Sequence, residues 1–218
     1  MNIHYIVTTC IFPEDWITRQ DECKDGIDER KQQYKKGIKH VLKYRLPGEP
    51  VYIVENGGLS SSFLDQFHNP SEDIHVHYTN NNDQSFQNKG RKELLDIQSC
   101  IDTFHINPED IIIKITGRYF LNNDSFLQKV RKEKNNCDVF FRAGSMWNTD
   151  QPFDERPLSD LCTGLIAIKC KHFQQMLPES IPEFIPCEWK YAEYIQGHIP
   201  PERQHIVDVL GIHNWHDF

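Results

Sequence analysis

No apolar run in these 218 residues approaches the roughly 20 needed for a bilayer-spanning helix. A membrane-crossing helix is therefore not expected. Positive charge is not in excess either: 24 Lys and Arg stand against 32 Asp and Glu, for a net charge of -8. General nucleic-acid binding carries a basic footprint, so no nucleic-acid partner is expected. The seven cysteines are odd in number, scattered and without a Cys-x-x-Cys pair. That spacing argues against a zinc knuckle and a disulfide framework. A reduced, cytoplasmic protein with thiols acting as small core residues is expected. The N-terminus lacks a charged n-region and a small-residue cleavage site, so it reads as a first strand rather than a leader. Gly-x-Gly-x-x-Gly, a phosphate loop ending in Gly-Lys-Ser/Thr, a Gly-x-Ser-x-Gly elbow and internal repeats are all missing.

The composition is that of a globular chain, with 38% hydrophobic and 26% charged residues. Its length fits one domain, residues 1–218. Strand patterns recur at Ile3–Thr9, Pro50–Val54, Ile74–Tyr78, Ile111–Thr116, Val139–Arg142 and Leu165–Lys169. Helical patterns fall between them, over Asp28–Leu46, Ser61–Phe67 and Lys92–Phe104. A further helix follows a cap at Asn123 or Asp124, and His172–Leu177 and Glu188–Ile195 complete the set. This alternation predicts an α/β fold, a mainly parallel central sheet flanked by helices. Ala143–Asp160 has no clear periodicity and reads as a functional or mobile loop. Its Trp147 and Phe153 are candidates for stacking on a flat or sugar-like partner, or for anchoring the loop on the core.

The segment from Asp110 to Leu121 is the most informative. An Ile-rich strand buried on both faces ends abruptly in Thr116-Gly117-Arg118-Tyr119. Open α/β sheets bind ligands beyond the carboxyl ends of their strands. Gly permits close backbone approach, Arg suits phosphate, and Tyr offers a flat face with a polar tip. Three more strand ends look similar. Thr8 and Thr9 follow the first strand, and Glu55-Asn56-Gly57-Gly58 the second, where Glu55 suits a base or ribose. Thr79 to Asp83 follow the third, and Asn88-Lys89-Gly90-Arg91 then opens a helix, which favours phosphate. Each turn alone is also compatible with an ordinary loop. His75 and His77 alternate like a metal pair, but a third ligand is not evident and a polar strand face is expected.

In motif order the chain resembles GT-A nucleotide-sugar glycosyltransferases over most of its length. The run Lys114-Ile115-Thr116-Gly117-Arg118-Tyr119 is similar to a variant motif of small bacterial and large-DNA-virus enzymes, the chlorella-virus capsid type among them. The resemblance implies a GT-A-like single domain, a nucleotide-diphosphate sugar donor (a UDP-sugar) and a hydroxyl or glycan acceptor. It implies base contacts from Thr8, Thr9 and Glu55, and phosphate contacts from Lys89, Arg91, Thr116, Gly117 and Arg118. Arg30, on the first helix, is expected to face the same phosphates. The family's fourth strand ends in Asp-x-Asp, which binds Mn2+ or Mg2+; Thr116-Gly117-Arg118 stands there instead. Arg118 would then neutralise diphosphate charge directly, or a metal would use Asp208, His213 and His216. The two histidines read equally well as a surface tail. Glu188 matches the family's general base, and it also complements the start of its helix; Glu193 is the competitor. The alternatives to transfer are a nucleotide- or sugar-binding module and a nucleotidylyltransferase. The latter needs a glycine-rich basic loop that residues 11–15 do not supply.

Overall fold

The computed structural model describes residues 1–11, 26–82, 87–144 and 158–213. The strands are β1 (Ile3–Thr9), β2 (Val51–Glu55), β3 (Ile74–Tyr78), β4 (Ile111–Thr116), β5 (Phe120–Leu121), β6 (Val139–Phe141), β7 (Leu165–Lys169), β8 (Gln204–Ile206) and β9 (Ile212–His213). The α-helices are α1 (Ile27–Tyr44), α2 (Lys89–Phe104), α3 (Ser125–Glu133), α4 (Cys170–Gln175) and α5 (Cys187–His198). Seven strands form one sheet in the order β3-β2-β1-β4-β7-β6-β8, and β5 pairs with β9 in a two-stranded sheet. All neighbours across β3-β2-β1-β4 are parallel, whereas β7 runs antiparallel to both β4 and β6. The mainly parallel α/β sheet expected from the sequence is present. Ser61–Phe67 departs from expectation: it is a 3-10 turn over Phe63–Phe67, capped by Ser62.

Strand side chains alternate between faces, so each strand feeds two cores. Ile3, Tyr5 and Val7 of β1 and Ile111, Ile113 and Ile115 of β4 pack with Tyr34, Ile38 and Val41 of α1 and with Phe126, Leu127 and Val130 of α3. Ile6 and Ile112, on the other face, pack with Leu94, Ile97 and Ile101 of α2 and Tyr191, Ala192 and Ile195 of α5. Each fully buried aliphatic contributes about 1.5–3 kcal/mol, so this double covering holds β1 and β4 rigidly at the sheet's centre. The same alternation sends Thr8, Lys114 and Thr116 towards α2. The parallel register sets Ile6 beside Lys114 and Thr8 beside Thr116.

Two close approaches shape the carboxyl edge. A Cβ on Gly37 of α1 would lie 2.1 Å from the Gly117 carbonyl oxygen, so glycine lets the helix touch the turn after β4. A Cβ on Gly90 would lie 2.1 Å from Cys187 Cβ, so the first turns of α2 and α5 abut. Asn88 fastens them further. Its Oδ1 accepts from the Gly90 and Arg91 amides, while its Nδ2 donates to the Pro182 and Ile185 carbonyls at 2.7 and 2.9 Å.

His75 and His77 lie half-buried on one face of β3, packed against α2. His75 stacks on Tyr52 and packs on Phe104, and His77 Nε2 lies 2.9 Å from Ser99 Oγ on α2. Burial lowers both imidazole pKa values, which suits neutral rings packed on a helix. Among the described residues, no helix is long and apolar enough to cross a membrane.

Candidate active site

The ends of β1, β2 and β4 lie side by side, and their polar residues are tied together from below. Glu55 is fully buried. One of its oxygens accepts from the Thr9 hydroxyl at 2.6 Å, and the other from the Ile11 and Gly57 amides at 3.0 and 3.2 Å. Burial raises its pKa, while these donors pull it back. Glu55 and Thr9 thus set the backbone of the loops that follow β1 and β2. Tyr34 of α1 bonds the Cys10 backbone at 2.9 Å, and Arg30 Nε donates to the Cys10 carbonyl at 2.7 Å. The Cys10 thiol is pushed up to about 12 by burial and by Glu55.

Three cations lie within electrostatic reach of the groups around this terminus. Arg30 and Lys89 both act electrostatically on the Cys10 thiol, and Arg118 acts on the Tyr34 and Tyr119 hydroxyls. Lys89 is exposed at the start of α2, and Arg91 is half-buried one turn-edge later. Gly117 takes the Thr8 carbonyl with its own amide at 2.8 Å, locking the turn after β4 to β1.

Beyond β2 and β3 lies a cleft of about 240 Å³ lined by Asn56, Gly57, Gly58, Asn80 and Asn82. Its walls converge on Asp96 of α2, which is 1% exposed. Asp96 accepts from Asn56 Nδ2 at 2.8 Å, Thr79 Oγ1 at 2.7 Å and Asn81 Nδ2 at 2.9 Å. Burial raises its carboxyl to about 6, above the 3.8 of an ordinary Asp. Between those values the folded chain binds more protons than the unfolded one. This group's contribution to stability therefore falls as pH rises from 3.8 to about 6. Asp96→Asn is expected to remove that slope from urea-unfolding midpoints measured across the window; an unchanged slope would assign the titration to another group.

A second polar network lies under β1 and β4. Glu93 of α2 accepts from Thr8 Oγ1 at 2.5 Å and Thr116 Oγ1 at 3.3 Å, and pairs with the Lys114 ammonium at 2.7 Å. Lys114 also donates to Thr116 Oγ1 and to the Thr163 carbonyl. Thr163 Oγ1 in turn donates to Glu188 Oε1 at 3.1 Å, and Cys187 Sγ lies 3.3 Å from Glu188 Oε2. Glu188 is half-buried in the first turn of α5, whereas Glu193 pairs with Lys190 on the outer surface at 2.6 Å. Of the two carboxylates, Glu188 faces the network.

Thr8, Thr116 and Glu188 are thus joined through Glu93, Lys114 and Thr163. The sequence placed Lys114 and Asn56 in motifs without giving either a partner, and it gave no role to Glu93, Thr163, Asp96 or Tyr34. Lys114 had a signal: a charge inside an Ile-rich buried strand demands a partner. Glu93 looked like any first-turn acid.

The end of β4 does not fit the divalent cation that the sequence resemblance implies. Thr116, Gly117 and Arg118 replace carboxylates there, and the nearby Glu93 is already paired with Lys114. No group of three His, Cys, Asp or Glu converges among the described residues. Asp208 lines a separate cleft with Ser125, Phe126 and Lys129. β9 brings the backbone of His213 opposite Phe120, two residues past Arg118; His216, Trp147 and Phe153 lie outside the described residues.

No family model and no curated protein matches the sequence. Solved structures do match. PcManGT, a mannosyltransferase from Pyrobaculum calidifontis solved with GDP-Man and Mn2+, superposes with a TM-score of 0.58 at 9% identity, over 94% of this chain and 54% of its own. Residues 1–349 of TarS from S. aureus give 0.57 at 10% identity, over 97% of this chain and 59% of theirs. A glycosyltransferase involved in glycosylation of the PBCV-1 major capsid gives 0.50 at 10% identity, over 95% of this chain and 82% of its own. The chain spans little more than half the length of the first two. At such identities the likeness is one of fold. The chain has the GT-A-type fold of nucleotide-diphospho-sugar transferases.

Proposed function

We propose that the chain is a glycosyltransferase that moves a sugar, with inversion, from a nucleotide-diphosphate donor to a hydroxyl acceptor on a glycan or similar molecule. The observation that carries this reading is the pairing of two features at one sheet edge. Arg30 reaches the Cys10 carbonyl just past β1, Arg118 follows the Gly117 turn tied to Thr8, and Lys89 opens α2, while Glu188 is held by Thr163 across the Lys114 network from them. The first set suits a diphosphate and the second an acceptor hydroxyl. The nucleobase enters the cleft beyond β2, where Glu55, held by Thr9, fixes the Gly57 wall through its backbone amide. Arg91, Thr8, Thr116 and Gly117 frame the phosphates.

In this reaction Glu188 takes the acceptor proton as the acceptor oxygen bonds to the anomeric carbon. The bond from that carbon to the diphosphate breaks, and its electron pair leaves with the nucleotide. The cations stabilise the growing charge of the leaving group. No step is routed through a metal.

TarS has been solved in complex with UDP, which supports testing a UDP-sugar donor first. Isothermal titration with UDP, GDP and CDP tests the base preference, and UDP is expected to bind tightest. Equal or absent binding of all three would overturn the base assignment. Binding without donor hydrolysis or transfer would mark a binding module. Pyrophosphate release from a nucleoside triphosphate and a sugar phosphate would mark a nucleotidylyltransferase.

A further inference from the structure

We infer that Lys114 and Glu93 are positioning residues: a buried ion pair that holds the donor-side threonines and the Glu188 carboxylate in one fixed arrangement. The inference rests on the sugar-transfer reading above, and it assigns a role to residues that reading does not use.

Lys114 is 1% exposed in the middle of β4, at a position flanked by isoleucines. Taking an ammonium out of water costs several kcal/mol unless it is paired and fully hydrogen-bonded. Another Ile would fill the strand without that cost. All three ammonium hydrogens have acceptors, on Glu93, Thr116 and the Thr163 carbonyl, at 2.7, 3.0 and 2.6 Å. Each acceptor belongs to a different element: α2, β4 and the segment leading into β7. Lys114 is therefore the point where these three are fastened together.

What hangs from each acceptor is the working edge. The other oxygen of Glu93 takes the Thr8 and Thr116 hydroxyl protons, so both hydroxyls are turned the same way. The residue whose carbonyl Lys114 grips is the residue whose hydroxyl donates to Glu188. Shifting Lys114 would therefore shift Thr163, and with it the aim of Glu188. A misplacement of about 1 Å can cost on the order of 10²-fold in rate. Because Lys114 is sealed from solvent, it would act without touching donor or acceptor.

The test uses three variants of the full chain: Lys114→Met, Glu93→Gln and the double variant. Each single variant leaves an uncompensated buried partner; the double variant removes both charges and is expected to fold. In the double variant, kcat is expected to fall about tenfold or more, and the dissociation constant for UDP to rise by a smaller factor, because Thr8 and Thr116 lose their shared Glu93 acceptor while Arg30, Lys89 and Arg118 remain. A purely structural pair would lower the melting temperature and leave kcat at its wild-type value. A folded double variant with wild-type kcat overturns the inference, whether or not the single variants fold. Wild-type protein that neither binds a nucleotide nor transfers sugar would instead overturn the sugar-transfer reading, and the positioning role with it.

Discussion

Glu188→Gln is expected to lower transfer by about 10²–10⁴-fold, the usual cost of losing a general base, and to leave UDP affinity unchanged. Gln keeps the shape and can still accept from Thr163 Oγ1, as Glu188 Oε1 does at 3.1 Å. It has no site that takes a proton at neutral pH. Donor affinity should survive because Glu188 sits on α5, across the Lys114 network from the cations at the end of β1. Single-turnover transfer, measured beside a UDP titration, separates the outcomes. Transfer near the wild-type rate would remove Glu188 from the mechanism. Lost UDP binding would show that its contacts to Thr163 and Cys187 hold the site together. The competing Glu193 is committed to Lys190 on the surface, so Glu193→Gln serves as the control and should transfer normally.

Arg118→Ala should weaken donor binding by about 1.5–3 kcal/mol, the range for hydrogen bonds to charged groups. In dissociation constant that is between tenfold and somewhat over a hundredfold. Arg118 follows Gly117, whose amide is tied to the Thr8 carbonyl at 2.8 Å, so the backbone that presents the guanidinium is fixed before any ligand arrives. The loss should be larger for UDP than for uridine, because the guanidinium is assigned to phosphate rather than base. Titration of both ligands into wild type and variant checks this. Equal loss for the two would move Arg118 from the phosphates to the base, and unchanged UDP affinity would leave it as a solvated turn residue. Folding should change little, because Arg118 is only half-buried and lies beyond the end of β4.

The main strands were legible because each is a short Ile- or Val-rich run bounded by turn residues. Ile3–Thr9, Ile74–Tyr78, Ile111–Thr116 and Leu165–Lys169 appear with the expected bounds. The direction of β7 was not legible. Its apolar run is buried on both faces, and such a run carries no mark of whether its neighbour lies parallel or antiparallel. The short strands β5, β8 and β9 were missed because two or three residues cannot show a period. They form where distant segments meet, as Phe120 meets His213.

The chain's own pattern determined the sheet, its two covering layers and the cluster of polar strand ends at one edge. Period-two burial and helix spacing are local properties, and they survive translation into one dimension. Only the tertiary structure decided which polar groups are already spent. Glu55 turned out to hold the Ile11 and Gly57 amides, Thr8 and Thr116 turned out to share Glu93, and Glu188 met a threonine 25 residues away. Hydrogen bonds and ion pairs of this kind join residues that no sequence period links. They depend on register between strands and on which helix turn faces them, and both are set only when the cores close.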